Sequence, residues 1–398
     1  MTQQLHWKKD IALFLSAQTV TLLGSSIVQY AIIWYITLTT SSGLMITIST
    51  LCGFLPQLII SLFAGVWVDR YNRKYVSMIS DAAITLVTLL LAVSFILGYK
   101  PLWLIFAVLA VRSFGTGIQT PTVNAIIPQL VPKDRLIKIN GINSTLSSLN
   151  MLIAPAASGV LYAYFSIEKI FFADVITAAI GLVLMSMLKI TKLTNDNLDG
   201  QSTIKAIGEG FRYLRQNPFI RYLIMFLIVM MILISPAAFM TPLMVSRSFG
   251  PEAWRLAINE MAFSSGAIAG GILIAMWGGF TNRLRTTLFA GGAYGFFMIA
   301  LGCAPLFSIY LVFNFLIGIT MPCFNAPVTS LLQEKVIPEM HGRIFSLVQV
   351  ANCCALPLGM VLFGPLADHF RIQHLLVIAG VLVLLLCVQL FVKRKLAE

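Results

Sequence analysis

Four ionisable side chains stand inside long apolar stretches of the chain: Asp81, Arg112, Asp174 and Glu260. Ion pairing and proton exchange are the chemistry open to them. Arg112 follows the unbroken apolar run Leu102–Val111. A guanidinium at the centre of a bilayer costs about 2.5–3.5 kcal/mol on insertion scales, so it is expected to face a cavity and carry function. An ion pair that only packs helices is the plain alternative. A carboxyl in hydrocarbon can take up and release a proton. Glu260 precedes the small-residue run Ser264-Ser-Gly-Ala-Ile-Ala-Gly-Gly271, which makes it a candidate for proton coupling or cation binding. Asp174 divides evenly between a structural and a coupling role. Asp81 lies seven residues past Lys74, so a structural bond to Arg73 or a nearby loop comes first and proton carriage second. His6, His341, His369 and His374 all fall at loops or at the ends of apolar stretches.

Other chemistries lack their residues. The six cysteines form no C-x-x-C pair and have no metal-ligand spacing with histidine, so they read as small buried hydrophobes. No metal site is expected. There is no H-E-x-x-H and no convincing nucleophile–base set, so an enzyme is not expected. No G-x-x-x-x-G-K-[ST] loop is present, which argues against ATP as the direct energy source.

The elements that hold these residues follow from composition. Of 398 residues, 58% are hydrophobic and 11% charged, and the mean hydropathy is +0.89. Soluble domains carry about 25% charged residues, so the solvent of this chain is a bilayer. Unbroken blocks such as Ala82–Leu97 and Leu375–Val392 favour helices over barrel strands, which alternate. Crossing the hydrocarbon takes about 20 residues of helix. Twelve spans are predicted, at 11–38, 43–68, 75–98, 102–130, 137–164, 167–190, 218–246, 254–277, 286–303, 306–333, 343–367 and 373–392. The first is too long for a cleaved leader, whose apolar core runs about 7–15 residues.

The net charge of +12 sits in short clusters between the spans and not in a tail or basic helix, which argues against nucleic acid. Segments on the side of the N-terminus hold 21 Lys and Arg, and those on the other side hold 5. Positive residues are retained in the cytoplasm, so both termini are expected there, in the cell membrane. The polar stretch 191–217 separates a six-span half at 1–190 from another at 218–398. A repeat supports two halves. Pro121-Thr-Val-Asn124-Ala125 recurs as Pro322-Cys-Phe-Asn325-Ala326, displaced by 201 residues, and Pro155 recurs as Pro357, displaced by 202.

After the second span the chain reads Gly65-Val-Trp-Val-Asp69-Arg70-Tyr-Asn72-Arg73-Lys74. This resembles the major facilitator superfamily signature G-x-x-x-D-R-x-G-R-[KR], and the twelve spans, two halves and central loop extend the resemblance over the whole chain. Asn72 replaces the usual glycine as a residue that tolerates positive φ. The second copy, Gly278-Gly-Phe-Thr-Asn282-Arg283-Leu-Arg285, has lost its aspartate. The resemblance implies an all-α transporter of two pseudo-symmetric six-helix halves working by alternating access. It gives Gly65, Asp69, Arg70 and Arg73 a role in a cytoplasmic gate, with Asp69 against the helix that begins at Gly342-Arg343. Arg112-Ser-Phe-Gly115 resembles the family's proton-coupling element, and Ala154-Pro155-Ala-Ala-Ser158-Gly159 a degraded antiporter element whose bend at Pro155 and Gly159 is expected to seal the cavity.

Cavity candidates, on spans that line the cavity in the superfamily, are Gln29, Tyr30, Trp34, Gln119, Asn124, Met231, Met240, Phe313, Asn314 and Phe324. Flexible Met and flat aromatics suit amphipathic ligands. Short matches such as Leu51-Cys-Gly-Phe-Leu-Pro56 and Gly342-Arg-Ile-Phe-Ser-Leu347 are similar to the macrolide efflux branch, relatives of enterobactin exporters. The expectation is a proton-driven drug:proton antiporter of amphipathic compounds, macrolides foremost. Export of a siderophore or metabolite is the alternative. No cofactor is expected, the proton gradient supplies the energy, and the protein is expected to be monomeric in the lipid bilayer. A partner ATPase stays open.

Overall fold

The computed structural model describes residues 7–132, 135–188, 212–337 and 340–392, except the side chains of 62, 65, 66, 68–70, 137, 342, 343 and 346. All regular elements among the described residues are helices: α1 (Trp7–Thr40), α2 (Gly43–Arg70), α3 (Arg73–Ile96), α4 (Leu102–Leu130), α5 (Leu136–Tyr164), α6 (Ile167–Ser186), α7 (Pro218–Phe239), α8 (Thr241–Ser248), α9 (Ala253–Trp277), α10 (Arg283–Gly302), α11 (Phe307–Lys335), α12 (His341–His369) and α13 (Ile372–Val392). They supply twelve segments long and apolar enough to cross a membrane, so the chain is a multi-pass membrane protein. Exposed apolar side chains such as Ile59, Phe63, Val183 and Leu385 are suited to lipid contact.

The predicted spans coincide with these helices to within a few residues except at the seventh. That span breaks at Met240 into α7 and α8. Pro236 lies inside α7, and Pro242 opens the first turn of α8. Neither has an N–H to continue the helical ladder.

The chain packs as two units, 1–39 with 48–197 and 40–47 with 198–398. Residues 40–47, which join α1 to α2 and begin α2, group with the second unit. The expected linker 191–217 lies outside the described residues up to 211, and 212–216 are helical.

In the first unit, Gly24 of α1 lies against Ala173 and Thr177 of α6, and Gly117 of α4 against Gln57 and Ile60 of α2. A Cβ at either position would overlap its neighbour. Phe95 of α3 meets Phe171 of α6 edge to face at 5.4 Å. A second core joins Phe14, Ile126, Ile127, Met185 and Leu188. In the second unit, Gly318 of α11 lies against Phe263 of α9. Gly318 is 201 residues beyond Gly117, and each lies against the backbone of a neighbouring helix.

The two related turns differ from expectation in one respect. Asn72 has φ −66° and caps α3, its side chain accepting from Lys74 N. Asn282 caps α10 in the same way, accepting from the N–H groups of Leu284 and Arg285. Both asparagines thus serve as N-caps with negative φ, and the positive φ falls on Gly278 and Gly279.

Candidate functional site

A row of polar residues in the first unit lies along the α3–α4 seam. Ser77, Asp81 and Thr88 follow one face of α3, and Arg112 and Gln119 follow one face of α4, because positions three, four, seven and eleven apart share a helix face. Arg112 is buried. Its side chain is 6% exposed and that of Asp174 is fully buried. Arg112 Nη1 donates to Asp174 Oδ2 and to Thr88 Oγ1, and Nη2 donates to the Ser25 carbonyl at 3.1 Å. Ser25 Oγ donates to Asp174 Oδ1 at 2.7 Å. The cluster therefore ties α1, α3, α4 and α6 together. Arg112 Nε is buried with no partner among the described residues.

Asp81 lies two turns along α3 from Thr88 and is 6% exposed. Its carboxylate accepts from Gln119 Nε2 of α4. Among the described residues it shows no bond to Arg73, which reaches the far end of α4 and donates to Ala125 O at 2.8 Å. Lys74 closes the end of α6, donating to the carbonyls of Ser186 and Leu188 at 2.7 and 2.6 Å, where cations offset the helix dipole. Asp81 and Asp174 thus differ in kind. Asp174 faces a guanidinium, whereas Asp81 has a neutral amide as partner.

The polar cluster of the second unit spans α9 and α11. Asn314 Nδ2 donates to Asn259 O at 2.8 Å and to Asn259 Oδ1 at 3.0 Å. Asn259 Nδ2 lies 3.4 Å from Glu260 Oε1. Tyr310, one turn before Asn314, is fully buried, and its hydroxyl has no partner among the described residues. Glu260, like Asp81, has an amide neighbour and no cation recorded among the described residues.

A third cluster was not foreseen. Asp368, at the end of α12, accepts from Gly43 N at 2.6 Å, Leu44 N at 3.0 Å and Ser42 Oγ at 2.9 Å. Arg247 of α8 lies 3.3 Å from Asp368 Oδ1 and donates to the carbonyls of Ser41 and, at 2.6 Å, Ala367. One carboxylate therefore caps α2, binding residues 41–44 to the ends of α8 and α12. Ser42 before a helical run is a cap signal, but nothing local points to Asp368, 326 residues away.

Of the cavity candidates, Trp34 is fully buried and lies 5.8 Å from Tyr30. Met231, Met240 and Phe324 are buried too, the last 6.2 Å from Phe226. Asn314 is engaged by Asn259. Gln29, Tyr30, Gln119 and Phe313 are half-buried and Asn124 is exposed. Pro155 and Gly159 are buried on α5, and between them Ser158 Oγ donates to Ile27 O of α1 at 3.1 Å. The side chains of Gly65, Asp69 and Arg70, and of Gly342 and Arg343, lie outside the described residues. Among the described residues no group of His, Cys, Asp and Glu is arranged to hold a metal.

The family model for the Major Facilitator Superfamily matches residues 14–355 and 253–397. Macrolide efflux protein A of Streptococcus pyogenes is 30% identical over 387 residues, covering 96% of this chain and 95% of that protein. The staphyloferrin A transporter of Staphylococcus aureus is 22% identical over 389 residues, 96% of each chain. In fold, the chain is similar to the crystal structure of a POT family transporter in complex with a thioalcohol-conjugated peptide. The TM-score is 0.76 at 13% identity, over 98% of this chain and 97% of that one.

Proposed function

Because the chain belongs to the major facilitator superfamily, we propose that it is a secondary exporter of amphipathic compounds, macrolides foremost, exchanging drug for protons by alternating access. The observation that carries this is the full-length similarity to macrolide efflux protein A. The membrane is the cell membrane and both termini face the cytoplasm, an orientation supported by the 21 to 5 distribution of Lys and Arg. The transporter works as a monomer and without a cofactor, drawing on the proton gradient.

Asp81 and Glu260 carry the protons. Each is a carboxyl on a spanning helix with a neutral amide at hand, so each can change charge without leaving a buried cation unpaired. Arg112 and Asp174 are positioning residues: they fix the helices on which Asp81 and Gln119 stand. In this orientation the Asp368 cap lies on the outer side. Opening that side requires release of Gly43 and Leu44 from Asp368, as opening the inner side requires rearrangement around Asp69, Arg70 and Arg73. Such contacts bias a two-state equilibrium by their differential strength.

The test is macrolide accumulation and susceptibility in a strain stripped of its own pumps. The wild type is expected to lower accumulation, and a protonophore is expected to abolish that effect. Export that survives the protonophore would overturn proton coupling. The likeness to the staphyloferrin A transporter favours a second reading, siderophore export. Retention of an iron chelator inside the deletion strain, with macrolide susceptibility unchanged, would select it.

A further inference from the structure

The second unit carries a groove of about 1530 Å³ along α10, α11 and α13. Its wall is apolar: Phe289 is 64% exposed, Phe296 58% and Val388 58%. Its polar end lies at the turn that begins α10, where Arg283, Arg285, Glu334 and Lys335 meet. Glu334 answers one of the three cations, lying 3.5 Å from Arg283 Nε, and Arg283 is also spent on the Gly278 carbonyl at 2.8 Å. Arg285 is exposed with no partner recorded among the described residues. Lys335 lies 5.9 Å from the Phe219 ring. Two cations therefore face the polar mouth of an apolar trough.

The dimensions match one leaflet. On α10 the lining runs from Arg283 to Phe297, which is about 21 Å of helix at 1.5 Å per residue. Half the hydrocarbon core is about 15 Å, so the groove extends from the headgroup level to the middle of the bilayer. Its volume exceeds the roughly 300–1,000 Å³ of ordinary small-molecule pockets. The charge at its mouth repels a cationic amphiphile and attracts an anionic one.

We propose that this groove is a binding site for an anionic phospholipid of the leaflet that meets the 278–283 turn. The phosphate sits between Arg285 and Lys335, and an acyl chain lies along Phe289, Phe296 and Val388. The site is independent of the transported cargo and of the proton-carrying residues.

Native mass spectrometry of the purified full-length protein tests this with phosphatidylglycerol and phosphatidylcholine of identical chains. The wild type is expected to retain phosphatidylglycerol preferentially. The preference is expected to fall roughly fivefold with each of Arg285→Gln and Lys335→Gln, as expected for single cations at a membrane surface, and to persist in Arg285→Lys. Glycerol phosphate, the headgroup chemistry without chains, is expected not to displace the lipid. Equal retention of the two lipids by the wild type would overturn the proposal. So would an undiminished preference in the double glutamine variant, or binding of glycerol phosphate as tight as that of the lipid. The two-lipid comparison on the wild type and Arg285→Lys stands even where the double variant fails to assemble.

Discussion

At the scale of the residue, what distinguishes the three intramembrane acids is the partner each has. Asp174 answers Arg112, so removing one leaves the other as an uncompensated buried charge. Arg112→Ala is expected to lower stability by about 3–5 kcal/mol, read as a fall in the thermal midpoint of the solubilised protein. Replacing both, as Arg112→Met with Asp174→Leu, is expected to recover most of that loss, since an apolar pair of similar volume often matches a buried ion pair. A double variant that is stable yet transports drug at the wild-type rate would confine the pair to packing. Asp81→Asn and Glu260→Gln keep the shape of the acid and remove its proton. They are expected to leave stability within about 1 kcal/mol and to abolish uphill export while drug exchange down its gradient persists; proton-dependent uphill export by both variants would exclude these carriers. The sequence makes the expense of Arg112 plain from its apolar flanks. It does not reveal Asp174, Thr88 and Ser25 as its partners, because these come from three other helices whose relative rotation no local pattern specifies.

At the scale of the element, the helices form where apolar runs are long enough and stop where caps appear. Asn72 and Asn282 close the two related turns with a side-chain oxygen on the first free N–H groups. Asn282→Ala is expected to cost about 1 kcal/mol, visible as faster amide exchange over the first turn of α10, with α11 unaffected. The α9–α11 contact depends on the absence of a side chain at Gly318, whose Cβ would overlap the Phe263 carbonyl. Gly318→Val is expected to separate the two helices and with them the Asn259–Asn314 bond, which crosslinking between cysteines placed on α9 and α11 would report. Span positions were legible because each has about 20 apolar residues between polar ends. The break at Met240 was not, because Pro236 and Pro242 sit within an apolar run and prolines are common in membrane helices that do not break.

At the scale of the molecule, the clasp at Asp368 sets how residues 40–47 are held. The carboxylate satisfies two free N–H groups at the start of α2 and a serine hydroxyl, with Arg247 alongside. Asp368→Asn keeps one acceptor and loses the charge. It is expected to weaken this cap by about 1–2 kcal/mol and to raise the labelling rate of a cysteine at position 44 by an impermeant thiol reagent roughly tenfold. An unchanged labelling rate would mean that Asp368 does not hold this end shut.

The displacement of 201 residues that superimposes Gly117 on Gly318 also sets Arg112 against Phe313 and Ser113 against Asn314. At this offset the two halves share a glycine at a helix contact and differ in chemistry: a cation stands in one and an aromatic ring in the other. A chimera made of two N-terminal copies would therefore inherit sound joints throughout, yet it would carry two Arg112 anchors and no Glu260. Drug export by such a chimera is expected to fail, because the carboxyl of Glu260 has no counterpart in the first half.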